Sequence, residues 1–132
     1  MPETMQVEVV SPERVLYSGE ATMVITRTLG GGEIAFLPGH APFLGALSEN
    51  HTRIATEAGA TVDVAVHGGF VEVSNNKVSL LSDVAELGDS IDVARAREAR
   101  ERAEERIRRG DDGAAEAALR RAEARLAASG AS

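Results

Sequence analysis

Four arginines and one aspartate in the last third of the chain are the residues best suited to chemistry. Arg121 and Arg125 stand four apart on one expected helix, and neither has an acidic residue four positions before it, since those positions are Ala117 and Arg121. Like charges at that spacing repel by a few tenths of a kcal/mol unless something neutralises them. Arg95 and Arg102 lie two turns apart on an earlier helix. A folded helical pair would bring the four guanidinium groups onto one anion, which their planar forks suit. Asp92, near the start of the first helix, would accept hydrogen bonds from backbone amides or from a ligand amine. The plainer reading of these arginines is a solvated helix face, and the pattern by itself leaves both open.

Other chemistries find less support. Gly30-Gly31-Gly32 is followed by Glu33 and the single lysine is the distant Lys77, so no phosphate-cradling loop of the Walker type is present. His40, His51 and His67 sit near turn residues with no zinc-ligand spacing, and are expected to be surface or turn residues. An enzyme site would need these histidines to converge with carboxylates on a metal. No Gly-x-Ser-x-Gly elbow supports a serine nucleophile. The chain has no cysteine, which excludes disulfides, thiolate metal sites and a cysteine nucleophile.

The elements that must position these residues fall into two units. The 132 residues are 43% hydrophobic and 27% charged, a globular composition, with a net charge of −7 and only 3% aromatic residues. That charge and scarcity of rings argue against a nucleic-acid partner. No apolar run reaches the about 18 residues of a membrane span, and no signal-peptide pattern opens the chain, so a cytoplasmic location is expected. Residues 1–88 hold all four aromatics and just four basic residues (Arg14, Arg27, Arg53, Lys77), whereas residues 89–132 hold ten arginines balanced by ten acidic residues.

In the first unit, Val7 and Val9 alternate with polar neighbours, as do Val62, Val64 and Val66. Period-two alternation marks strands with one buried face. Turn residues punctuate them at Ser11-Pro12, Ser18-Gly19, Gly30–Gly32, Pro38-Gly39, Ala58-Gly59, Gly68-Gly69 and Asn75-Asn76. The spacing implies roughly eight to ten strands in a β-sandwich or flattened barrel. In the second unit, Asp89 or Ser90 is expected to cap a helix running to about Arg109. Gly110–Gly113 would break it, and a second helix would run from about Ala114 to Ala128. The short connection implies an antiparallel hairpin. Stripes at Ala96, Ala99, Ala103 and Ile107, and at Ala115, Ala118, Leu119, Ala122 and Leu126, follow helical spacing. They are mostly alanine, so each position buries little apolar area and the hairpin is expected to be weakly held. A marginally docked element can serve as a switch; it can equally be a passive appendage. Favourable pairs are expected at Glu98/Arg102, Glu104/Arg108, Glu105/Arg109 and Glu116/Arg120.

Four ordered stretches resemble the epsilon subunit family of bacterial F-type ATP synthases. They are Val9–Gly19, Gly32–Phe43 (Gly-Glu-Ile-Ala-Phe-Leu-Pro-Gly-His-Ala-Pro-Phe), Gly68–Val73 followed by Val78–Leu81, and Ile91–Ala96. The resemblance implies an α+β chain: a ten-stranded N-terminal β-sandwich over 1–88, then a regulatory C-terminal two-helix hairpin over 89–132. It implies a non-catalytic subunit of the rotating central stalk, coupling ion flow to ATP synthesis and inhibiting ATP hydrolysis when the hairpin extends. The implied partners are the gamma subunit, the c-subunit ring and the alpha/beta catalytic head, with the turns of Gly30–Pro42 toward the ring. Membrane association would come only through the complex, at the cytoplasmic face of the bacterial cell membrane. No cofactor is required. Some relatives bind ATP between the folded helices, which makes an ATP-sensing module the alternative reading. By that resemblance Glu86 and Asp92 would orient the adenine end beside Ile91, and Ala96 would leave room. Arg95, Arg102, Arg121 and Arg125 would hold the phosphates. The inter-helix linker is shorter here than in those relatives and carries Gly113, which alters the expected register of the arginines. The same arginines could instead meet acidic segments of the head.

Overall fold

The computed structural model describes residues 3–110 and 113–131. Nine strands come first: β1 Met5–Val10, β2 Val15–Thr28, β3 Gly32–Phe36, β4 Phe43–Ala46, β5 Glu49–Thr56, β6 Thr61–His67, β7 Phe70–Ser74, β8 Lys77–Leu81 and β9 Ala85–Leu87. A short 3-10 turn over Gly88–Ser90 leads to helices α1 Val93–Arg108 and α2 Gly113–Ser129. The strands form one continuous sheet in the order β4-β7-β8-β1-β2-β5-β6-β9, with β3 also paired to β2. β2 is 14 residues long. Its first half pairs with β1 and its second half with β3 and β5, so one strand serves both layers of a sandwich. Counting its halves separately reconciles nine strands with the ten of the resemblance. The parallel pairing of β1 with β8 closes the layer that β1 and β2 begin.

The expected alternation decides the core. Val7, Val9, Val64 and Val66 are all buried, and Phe36, Ile54, Val71, Val78 and Leu80 join them between the layers. β-Branched side chains fit the half-buried, pleated surface of such strands. At one end of this core Thr26, Asn50 and Thr52 are buried but satisfy one another, with Thr52 Oγ1 donating to Asn50 Oδ1 at 2.8 Å. Asn75 and Asn76 turn the β7–β8 hairpin with φ of 51° and 60°. That left-handed geometry is one asparagine tolerates better than most residues.

Two expectations change. Ser18-Gly19 is not a turn: both lie inside β2, where Gly19 pairs with Val7 and Ser18 with Glu8. There the Tyr17 ring lies over the glycine, and a Cβ would come within 2.7 Å of its hydroxyl, so a larger residue would have to displace that side chain. The cap of α1 is neither Asp89 nor Ser90, which belong to the 3-10 turn, but Asp92, whose carboxylate accepts from the Arg95 amide at 3.1 Å. Ile91 is extended, so the helix cannot begin before it. Asp92→Ala should therefore weaken the first turn of α1 by about 1 kcal/mol. The check is α1 helicity and melting against wild type, and an unchanged helix would contradict the capping role.

The helices pack as an antiparallel hairpin, with Ala96 and Ala103 of α1 and Ala115, Ala122 and Leu126 of α2 buried. Of the expected chain breaker, Gly110 has φ +84°, Gly113 opens α2, and Asp111-Asp112 fall outside the described residues. Glu105 pairs with Arg109 as expected and also takes Arg108, while Arg120 reaches across to Glu49 on β5. One face of α2 lies on the outer side of β5 and β6. The apolar contact there is small: Ala124 and Ala128 rest on Ala65, with Ile91 against them. Ala65 is buried although it alternates with the core valines, because β6 is covered on both sides.

Candidate functional site

A cleft of about 430 Å³ opens where α1, α2 and the end of the sheet meet. Its lining includes Glu86, Ile91, Asp92, Arg95, Ala96, Arg102 and Arg125. Each reaches it for a local reason. Glu86 is carried by the short strand β9, where it pairs with Ala65 and so faces the helices. Ile91 and Asp92 follow the 3-10 turn and set the start of α1. Arg95, Ala96 and Arg102, joined by Ala99, then share one face of α1 at three- and four-residue spacing. Arg125 comes from α2. Ser90 and Ala99 also line the cleft; the sequence marked them only as a cap candidate and a stripe position, not as site residues.

Arg121 is the exception among the expected residues. It sits one turn before Arg125 on α2, half-buried, and does not line the cleft. It makes no ion pair among the described residues.

Two residues of the cleft, Arg125 and Glu86, continue into a three-residue chain that ends on His67 behind it. Arg125 Nε donates to Glu86 Oε1 at 2.5 Å. The Glu86 oxygen also lies 3.1 Å from His67 Nε2. His67 is the last residue of β6 and its side chain is only 3% exposed, contrary to the turn or surface position expected of it. Its alternation with Val66 puts it on the outer face of the sheet, and α2 covers that face. Burial opposes the charge on Glu86, but the hydrogen bonds from Arg125 and His67 outweigh it and hold the carboxyl below the usual glutamate value. Burial is also the largest influence on His67. Reinforced by Arg125 and Arg121, it outweighs the attraction of Glu86 and lowers the imidazole pKa.

Three guanidinium groups and two carboxylates thus line one cleft. Such a lining can bind an anion while its acidic end accepts hydrogen bonds from an amine. Nothing in it pairs a nucleophile with a base. No cluster of three or more His, Cys, Asp or Glu side chains capable of holding a metal ion occurs among the described residues. Among those residues, no helix is long and apolar enough to cross a membrane.

Residues 4–88 match the family described as ATP synthase, Delta/Epsilon chain, beta-sandwich domain, and residues 89–130 its long alpha-helix domain. The chain is 46% identical over 128 residues to the ATP synthase epsilon chain of Streptomyces griseus, covering 97% of each. It is 53% identical over 103 residues to that of Brevibacillus brevis, covering 78% of this chain and 77% of the other. In fold it is similar to a chain of the Euglena gracilis mitochondrial ATP synthase, with a TM-score of 0.83 at 22% identity over 98% of this chain and 82% of that one. A beta-sandwich domain followed by a helical domain is thus matched over nearly the whole length, and the chain belongs to the ATP synthase epsilon chain family.

Proposed function

We propose that the chain is a non-catalytic rotor subunit of the central stalk, and that its hairpin is an ATP-sensing brake on hydrolysis. In this reading the sandwich binds the gamma subunit and the c-subunit ring at the cytoplasmic face of the bacterial membrane. The hairpin, when it leaves the sheet, meets the alpha/beta head. Two features of the surface favour this. Leu29 and Leu37, 64% and 54% exposed, stand at the turns that the resemblance directs to the ring. The hairpin is held to the sheet chiefly through alanines and two carboxylate–arginine pairs, Arg125 with Glu86 and the longer Arg120 with Glu49, which a modest free-energy change can release.

The observation that carries the ATP reading is the convergence of Glu86, Asp92, Arg95, Arg102 and Arg125 on one cleft. Bound between α1 and α2, the nucleotide would place its adenine amine toward the carboxylates and its phosphates toward the guanidinium groups. It would then bind only the docked hairpin, stabilising that state by about 2.7 kcal/mol at a hundredfold excess over Kd. Calorimetric titration of the isolated chain with ATP is the test. Saturable binding in the micromolar to low-millimolar range is expected, and no heat up to several millimolar would remove the sensor reading. Arg121 favours a second role for the tail. It is unpaired among the described residues and off the cleft, so it suits an acidic contact on the catalytic head in the extended state.

A further inference from the structure

We propose that His67 is a proton-sensitive strut: while neutral it holds Glu86 in position to receive Arg125 and keeps α2 on the sheet, and on protonation it releases α2. The geometry is specific. Neutral His67 donates from Nε2 to Glu86 Oε1, the same oxygen that receives Arg125 Nε. Its other nitrogen, Nδ1, is buried and has no hydrogen-bond partner among the described residues. A bare acceptor there already forgoes its hydration, and charging the ring adds to that cost. A proton there would create a buried N–H donor with nothing to receive it, in a cation placed among arginines.

The charged groups around this imidazole come from each packed element. β5 presents Glu49, the register partner of His67, already engaged by Arg120. β9 presents Glu86. α2 presents Arg120, Arg121 and Arg125, and across the cleft α1 presents Arg102. Glu86 favours the protonated ring, but its oxygen is already shared with Arg125, and burial with the two nearer arginines outweighs it. The structure offers one inexpensive relief. α2 supplies both the cover and the nearer arginines, and among the described residues it is held to the sheet here by the small contact of Ala124 and Ala128 and by the Arg125–Glu86 and Arg120–Glu49 pairs. Withdrawing α2 hydrates His67 and removes the positive charge together.

The sign follows from linkage. The docked state lowers the His67 pKa below the ordinary 6.5. Its contribution to docking is therefore complete above that value and is lost as pH falls toward and through the docked-state pKa. Between the two values the docking constant drops up to tenfold per pH unit. Glu86 acts in the same direction but lower, below its ordinary 4.5.

The test uses the full chain without nucleotide. Because there is no cysteine, labels can be placed cleanly at Glu57→Cys on the β5–β6 turn and Glu116→Cys on α2, both exposed. As pH falls from about 7.5 to 5.5, across the one-proton window, the wild-type inter-label distance should lengthen with the midpoint at which the His67 ring titrates by NMR. His67→Gln, which still donates to Glu86 but does not titrate, should stay docked throughout. A wild-type distance indifferent to pH, a His67 ring titrating at or above 6.5, or a His67→Gln chain that opens with the same midpoint would each overturn the proposal. The NMR midpoint stands even where the variant folds poorly. Nucleotide binding, read separately by calorimetry, can fail without affecting this result.

Discussion

Gly88→Ala should drive the hairpin off the sheet while leaving the sandwich folded. Gly88 opens the 3-10 turn between β9 and α1, and the C-terminal end of α2 rests directly on it. A Cβ at this position would lie 2.2 Å from the Ala128 carbonyl oxygen and 3.3 Å from that of Asp63. The nearest atom is backbone, so no side-chain rotation relieves the clash. Either α2 shifts as a body or its last turn unwinds, and both remove Ala128 from Ala65. Overpacking of this kind costs about 1–3 kcal/mol, and the backbone contact argues for the upper part of that range. At about 1.4 kcal/mol per decade, the docking equilibrium moves by roughly one to two powers of ten. Gly88 does not need a positive φ, so with α2 undocked the alanine meets only the closer-than-usual Asp63 carbonyl, a far smaller cost than the Ala128 clash. Paired labels on the turn and on α2, read beside the melting of the strands, provide the measurement. A wild-type label distance in the variant would show that the turn yields instead. In the assembled enzyme the same substitution should deepen the inhibition of ATP hydrolysis if the extended hairpin is the brake.

Arg125→Ala should lower ATP affinity by about ten- to a hundredfold, since a charge-assisted hydrogen bond of this type contributes about 1.5–3 kcal/mol. Arg125 has two tasks in the docked state. It lines the cleft, and it neutralises Glu86, whose carboxylate is two-thirds covered. Removing it leaves that carboxylate with His67 alone, so hairpin docking should weaken even without nucleotide. Arg125→Lys keeps the charge but loses the planar fork, and should restore docking better than it restores nucleotide affinity. Arg121→Ala, outside the cleft, should leave ATP affinity within about twofold, a difference of under half a kcal/mol. Calorimetry on the three variants decides the assignment. Equal losses in Arg121→Ala and Arg125→Ala would mean that the hairpin closes further around the ligand than the present geometry, and no loss in either would place nucleotide elsewhere.

Much of the architecture was legible because local rules and global packing agree. Alternating valines reported buried faces, paired asparagines and glycines reported turns, and the alanine-arginine-glutamate tail reported helices. The misreadings occurred where tertiary contact overrode local preference. Ser18-Gly19 has the composition of a turn, yet pairing with β1 carries β2 straight through it. Asp89 and Ser90 have cap chemistry, yet the extended Ile91 delays the helix until Asp92.

The candidate site divides along the same line. Motif resemblance singled out Glu86, Ile91, Asp92, Arg95, Ala96, Arg102, Arg121 and Arg125, of which all but Arg121 line the cleft, and helical periodicity alone puts Arg95, Ala96 and Arg102 on one face. By itself the sequence determined a strand-rich unit followed by two helices, the buried faces marked by Val7, Val9, Val64 and Val66, the charge balance of the tail, and the family. Only the tertiary structure decided which arginine enters the cleft, because four-residue spacing places Arg121 and Arg125 on one helix face without saying which turn meets Glu86. Only the tertiary structure buried His67, since strand alternation assigns it a face but cannot tell whether solvent or another helix lies against that face. Gly88 is the same case: a glycine in a turn is unremarkable until the carbonyl of Ala128, forty residues later in the chain, is found against it.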